Sequence, residues 1–319
     1  MIQVRGVTKR FKDTVAVDDL DFEVPTGVVT GFLGPNGSGK STTMRIIMGL
    51  DHTDGGEATI NGTAYAKLAQ PLREVGALLE AKAIHPGRSA FNHLLYLAQT
   101  NDIPRRRVSE VIELVGLSQV ANKRVGKFSL GMGQRLGIAA ALLGDPGTLL
   151  FDEPINGLDP EGILWVRNLL KGLANEGRTV FVSSHLMSEM ALTADHLVVI
   201  GRGRLISTGS VSDFINDNAG QYVRVRTPRS DELEGLLRAQ GALVTREADG
   251  SLSVSNLSAE QIGVTCGNAG IFLHELSPQM ASLEEAFMEM TRESVEYHGH
   301  VIDEIDVGLV ASPLAESRK

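Results

Sequence analysis

Lys40 and Ser41 stand near the end of the run Gly34-Pro35-Asn36-Gly37-Ser38-Gly39-Lys40-Ser41-Thr42, which mixes glycines with small polar side chains. The spacing fits GxxxxGK[ST], a loop that cradles phosphates. Gly34, Gly37 and Gly39 let backbone N–H groups turn inward around phosphate oxygens, where a Cβ would clash. Lys40 offers a compact cation to the outer phosphates, and the Ser41 hydroxyl is placed to ligate Mg2+. The expected ligand is a nucleoside triphosphate. A second chemical stretch, Leu149-Leu150-Phe151-Asp152-Glu153-Pro154, ends an apolar run in two carboxylates. Asp152 suits magnesium, directly or through water. Glu153, one residue on, suits a general base that polarises the attacking water.

These groups need rigid elements behind them. A β-branched run over residues 28–33 precedes the loop, and Met44, Ile47 and Met48 after it share one helical face. Strand, loop and helix is the context that the phosphate motif requires. The apolar runs 148–151 and 179–182 read as buried parallel strands. Alternation over residues 2–24, clearest at Leu20, Phe22 and Val24, predicts an antiparallel sheet with one face buried. Asp54-Gly55-Gly56 reads as a turn into a short strand at 58–60. Residues 89–117 carry a helical pattern with Val108, Val111, Ile112 and Val115 on one stripe. Residues 196–201 and 204–207 read as a closing hairpin.

Between the two chemical stretches lies Phe128-Ser129-Leu130-Gly131-Met132-Gly133-Gln134-Arg135, opening a helix expected over 137–143. A Ser and a Gly at a helix N-terminus make either an N-cap or a second anion seat. A nucleotide already held by the phosphate loop has no evident need of that seat in its own subunit. A head-to-tail pair, each copy closing the other's site, would use it.

The bulk properties bound the rest. The 319-residue chain is 42% hydrophobic and 22% charged, which reads as a globular protein with one large and one smaller unit. Its formal net charge of −9 argues against a nucleic-acid partner, which would need a basic stripe. The single Cys266 excludes an internal disulfide and a zinc cluster. The N-terminal residues show no signal segment, and no apolar run is long enough to span a bilayer. Near residue 215 the character changes. Residues 222–226, 231–240, 243–247, 252–254, 259–268 and 271–276 read as strand, helix, strand, strand, helix, strand, a ferredoxin-like order. A helix over 283–290 follows. The last 27 residues, with six acidic and two basic side chains, read as a loose tail.

The phosphate loop, the stretch from Phe128, Asp152-Glu153 and the downstream His185 occur in the order of the ATP-binding-cassette ATPases, which residues 1–215 resemble. Phe128 to Met132 align with that family's LSGGQ signature; Ser129 and Gly131 are kept, and Phe128, Leu130 and Met132 depart. Such a variant resembles the ATPase subunits of antibiotic, lipid and drug exporters, bacitracin- and lantibiotic-type transporters among them. The resemblance implies ATP and Mg2+ as cofactors. It implies that Phe11 stacks on adenine, that Asn156-Gly157-Leu158-Asp159 links the two sites of a dimer, and that His185 contacts the γ-phosphate. It also places Glu80 where the family has a magnesium-ligating glutamine. A carboxylate there would add a third negative charge beside Asp152 and Glu153.

The expected architecture is therefore an α/β P-loop NTPase of the ABC ATPase type. It has an antiparallel β subdomain, a helical subdomain over about 80–145, a small C-terminal α+β appendage over 216–292 and a flexible tail over 293–319. Catalysis falls to Glu153 and His185, nucleotide binding to Phe11, Gly34 to Thr42, Ser129, Gly131 and Asp159, and the metal to Ser41, Glu80 and Asp152. The implied partners are a second copy of the ATPase domain and separate permease subunits on the cytoplasmic side of the cell membrane. Export of a drug, antibiotic, peptide or lipid is the expected output. An importer ATPase and a soluble cassette ATPase uncoupled from transport are the alternatives. The helix over 283–290 resembles the appendage of resistance ATPases, and reads equally as an amphipathic helix lying on the appended unit.

Overall fold

The structure, a computed structural model, describes residues 1–80, 84–219, 221–280 and 282–291. The tail expected over 293–319 lies outside the described residues. The first strands, β1 (Ile2–Phe11) and β2 (Thr14–Val24), pair antiparallel, with Val4 opposite Phe22 and Val7 opposite Leu20. The period-two pattern, shifted by an irregularity between Val4 and Val7, puts Ile2, Val4, Val7, Leu20, Phe22 and Val24 on one buried face. Then come β3 (Val29–Leu33), wholly buried, the helix α1 (Lys40–Ile47) and β4 (Gly55–Ile60). β4 pairs with the free edge of β1. The turn expected at Asp54-Gly55-Gly56 is thus absorbed into a strand. Gly56 takes φ +71°, and a Cβ there would sit 2.2 Å from the Gly6 carbonyl oxygen. Only glycine meets both conditions.

A short helix α2 (Pro71–Glu74) leads into β5 (Val75–Leu78). The helical region follows as α3 (Ala90–Gln99), α4 (Arg105–Leu114) and α5 (Leu130–Ala141). α5 begins at Leu130, well before the expected 137. Ser129 caps it, its hydroxyl accepting the Met132 N–H at 3.2 Å. Glycines at 131, 133 and 137 mask the helix in sequence because they lower propensity. Gly137 is a packing requirement: a Cβ there would lie 2.5 Å from Leu78 Cδ1.

The chain then alternates between strand and helix: β6 (Thr148–Asp152), α6 (Pro160–Asn175), β7 (Thr179–Ser183), α7 (Met187–Thr193), β8 (His196–Gly201) and β9 (Arg204–Ser210). The six-stranded sheet runs β5-β6-β7-β3-β8-β9, parallel except for the β8–β9 hairpin. Strands buried on both faces explain the unbroken apolar runs in this part of the sequence. Phe32 and Phe181 stack with centroids 4.9 Å apart, and Phe22 from the antiparallel sheet meets both, which joins the two sheets.

After α8 (Val211–Ala219) a separate four-stranded sheet forms. Its elements are β10 (Gln221–Arg226), α9 (Ser230–Ala239), β11 (Leu243–Arg246), β12 (Leu252–Ser255), α10 (Ala259–Ala269) and β13 (Glu275–Met280). The strand order is β11-β12-β10-β13, every pairing antiparallel. The last strand lies later than the expected 271–276 and includes Pro278. Proline is tolerated there because β13 is an edge. Finally α11 (Leu283–Thr291) packs mainly on α8 and α7. Leu283, Ala286 and Phe287 join the main core beside Met187, Met190 and Phe214. Among the described residues no helix is long and apolar enough to cross a membrane.

Candidate nucleotide site

The loop between β3 and α1 forms the floor of a cleft of about 420 Å³, walled also by Ala16, Leu79, Asp152 and Glu153. Gly39, at φ +103°, brings the chain so close to β2 that a Cβ would stand 2.4 Å from the Ala16 carbonyl oxygen. Space beside Gly37, at φ +80°, is open. Lys40 is buried, and its Nζ donates to the carbonyls of Gly34 (2.6 Å) and Pro35 (3.0 Å). Burial holds its pKa below the ordinary lysine value, while the negative charges of Glu153 and Asp152 oppose that shift. The ammonium therefore sits coiled over the loop, within reach of an incoming anion.

Ser41 and Asp152 meet directly: Ser41 Oγ donates to Asp152 Oδ2 at 2.7 Å. The parallel register that pairs Asp152 with Ser183 puts a third oxygen beside them. Ser183 Oγ donates to Asp152 Oδ1 and accepts the Glu153 N–H at 3.0 Å. A hydroxyl and a carboxylate converging at the edge of a phosphate cradle are hard oxygen donors, the set that fits Mg2+. Ser183 is wholly buried. Sequence reasoning passed over it, although its place at the end of a run parallel to 148–151 was the available signal.

Glu153 takes a left-handed φ of 51°, unusual for a residue with a Cβ. Its carboxylate Oε2 lies 2.8 Å from His185 Nδ1 and accepts the His185 N–H at 3.4 Å. Its carbonyl accepts the Gln134 side-chain amide at 2.8 Å. Gln134, which the sequence reading also missed as a partner of Glu153, reaches it from α5.

The other expected site residues lie elsewhere. Ser129 lines a separate hollow with Ile84, Pro86, Phe128 and Leu130, outside its own chain's phosphate cleft. Gly131 faces Gly157 and Leu158. Asp159 caps α6, accepting the Gly162 N–H at 2.9 Å. Phe11 is half exposed at the end of β1, with Lys9 Nζ 5.2 Å from its ring centroid. Glu80 follows the cleft wall in the chain. Leu79, not Glu80, forms part of the cleft wall, and Glu80 is exposed with its charge acting on Arg45. Leu78 is buried at the end of β5, and Leu79 follows it into the cleft wall. No group of three or more Asp, Glu, His or Cys among the described residues is arranged to hold a metal.

Residues 17–156 match the family model described as ABC transporter, and residues 221–284 match a domain of unknown function (DUF8746). A bacitracin transport ATP-binding protein of Bacillus licheniformis is 42% identical over 65% of this chain and 68% of its own length. A Nod factor export ATP-binding protein of Cupriavidus pinatubonensis is 33% identical over 91% and 90% of the two chains. The dimeric structure of the bacterial ABC transporter cassette MJ0796 matches with a TM-score of 0.61 and 25% identity, over 66% of this chain and 98% of that one. The chain belongs to the ABC transporter family, as an ATP-binding subunit with the family's ATPase domain.

Proposed function

We propose that two copies of this chain close head to tail around two ATP molecules and that the cycle of closure and reopening drives export through separate permease subunits. Bound Mg2+ would be held by Ser41 and Asp152, and would offset phosphate charge as a Lewis acid. Gly34 to Thr42 cradle the phosphates and Lys40 leaves its loop carbonyls for the outer ones. Glu153 takes the proton of the attacking water. His185, hydrogen-bonded to the Glu153 carboxylate, fixes that carboxylate and faces the γ-phosphate side. Ser129 and Gly131 of the second copy complete each site, and Asp159 and its loop lie between the sites. Phe11 supplies an aromatic face for adenine.

The observation that carries this reading is the Glu153–His185 contact of 2.8 Å at the wall of the phosphate cleft. It supports reading Glu153 as the base and His185 as its orienting group, next to the loop that cradles the phosphates. Export is supported by the relative named for Nod factor export. A place on the cytoplasmic face, held through the permease, follows from that reading. As a test, purified protein carrying Glu153→Gln is expected to bind ATP, accumulate as an ATP-bound dimer and lose hydrolysis. Unchanged turnover in that variant would remove Glu153 as the base.

A further inference from the structure

α5 grips the segment after β6 at two places. At its start, Leu130 covers Gly157: a Cβ on Gly157, at φ +73°, would sit 2.1 Å from Leu130 Cδ2. One turn on, the Gln134 Nε2 donates to the Glu153 carbonyl at 2.8 Å. That carbonyl also accepts the Asn156 N–H at 3.3 Å, so it has a partner without Gln134. The Gln134 side chain is buried, and its Oε1 has no protein donor. Burying an amide oxygen unpaired is unfavourable, and an apolar side chain of the same length would avoid it. Stability alone therefore gives no reason for glutamine at this position.

Glu153 gives one. A non-glycine residue in the left-handed region persists only where its surroundings hold it. Its N–H is held by Ser183 and its carbonyl by Gln134, so the peptide units on both sides are fixed. The direction of the carboxylate from Cα follows from those two peptides. We propose that Gln134 is a positioning residue for Glu153: its amide keeps the backbone of the base in the left-handed state and aims the carboxylate at the attacking water. The inference rests on the proposed role of Glu153.

The test uses the purified full-length chain with Gln134→Met, which keeps length and removes the donor. Turnover per folded molecule at saturating Mg-ATP is expected to fall at least about tenfold. KM for ATP should stay within about twofold, a loss confined to the chemical step. The variant should also accumulate the ATP-bound dimer, as is expected of Glu153→Gln. A purely structural glutamine would lower the thermal midpoint and leave turnover per folded molecule intact. Turnover within about threefold of the parent, or a fall matched by KM, overturns the proposal. Should Gln134→Met not fold, Gln134→Asn, an amide one methylene short, is judged by the same criteria. If Glu153→Gln is inactive and Gln134→Met fully active, only the positioning role fails; if Glu153→Gln still hydrolyses ATP, the base assignment itself fails.

Discussion

Ser41 and Asp152 are 111 positions apart in the chain, and their side chains meet at 2.7 Å where α1 begins and β6 ends. The phosphate loop and the carboxylate strand are thereby one oxygen-rich edge. Asp152→Asn keeps the shape and removes the charge. Turnover is expected to fall about 100-fold, with a higher Mg2+ concentration needed for half-maximal rate. A magnesium titration of ATPase activity measures both. An unchanged magnesium midpoint would take Asp152 out of the metal site.

His185→Ala removes the 2.8 Å contact to Glu153 Oε2 while leaving the phosphate loop intact. The expected result is a rate loss of about 100-fold with ATP affinity preserved. Fluorescent-nucleotide binding alongside single-turnover hydrolysis separates the two quantities. Parallel loss of binding would mean that His185 serves the nucleotide pocket as a whole.

Gly157→Ala should destabilise by about 1–3 kcal/mol, through both left-handed backbone and overlap with Leu130. Combining it with Leu130→Ala should recover the steric part and leave the backbone part. A double-mutant cycle in urea unfolding reads this coupling. Simple additivity of the two changes would show that the Leu130–Gly157 contact carries no energy.

Phe287→Ala should cost about 3–5 kcal/mol, because the ring lies in the main core beside the helices that follow β7 and β9. The loss should appear in the transition of the ATPase unit in calorimetry. A change limited to the appended unit would place the ring in the wrong core.

In that appended unit, the Asp249 carboxylate accepts the Ser251 hydroxyl and N–H and pairs with Arg224. The two Ser251 hydrogen bonds, with smaller help from Arg224, depress its pKa to about 2. A depressed carboxyl pKa adds stability that is complete above the ordinary value, near 4, and is lost as pH falls through about 2. Ser251→Ala should move the carboxyl back toward that ordinary value, as followed by NMR titration. A midpoint unmoved by the change would reassign the cause to Arg224.

Much of this was legible because phosphate and magnesium chemistry dictates residue types locally. The loop from Gly34 to Thr42 and the pair Asp152-Glu153 each lie within one short stretch. The parallel strands announced themselves as apolar runs, since both faces are covered. What stayed hidden depends on contacts between distant segments. α5 was misplaced because its glycines answer to close neighbours such as Leu78. Ser183 and Gln134 are polar residues whose roles appear only once strand register and helix packing bring them to Asp152 and Glu153. Glu80 lies just past the end of β5, exposed next to Leu79 of the cleft wall, so its place in the order of motifs brings it to the edge of the site.

The docking of α11 has a consequence for synthesis. The appended unit draws its core from residues between Val223 and Leu276 and closes its sheet with β13, so it is whole as soon as Met280 has left the ribosome. The ATPase core begins with Ile2 yet includes Phe287, so its final packing awaits one of the last described helices. The smaller unit can thus finish folding while the larger one still lacks a wall. The nascent ATPase then has to keep the face around Met187 and Met190 from sticking elsewhere until its own C-terminal helix arrives.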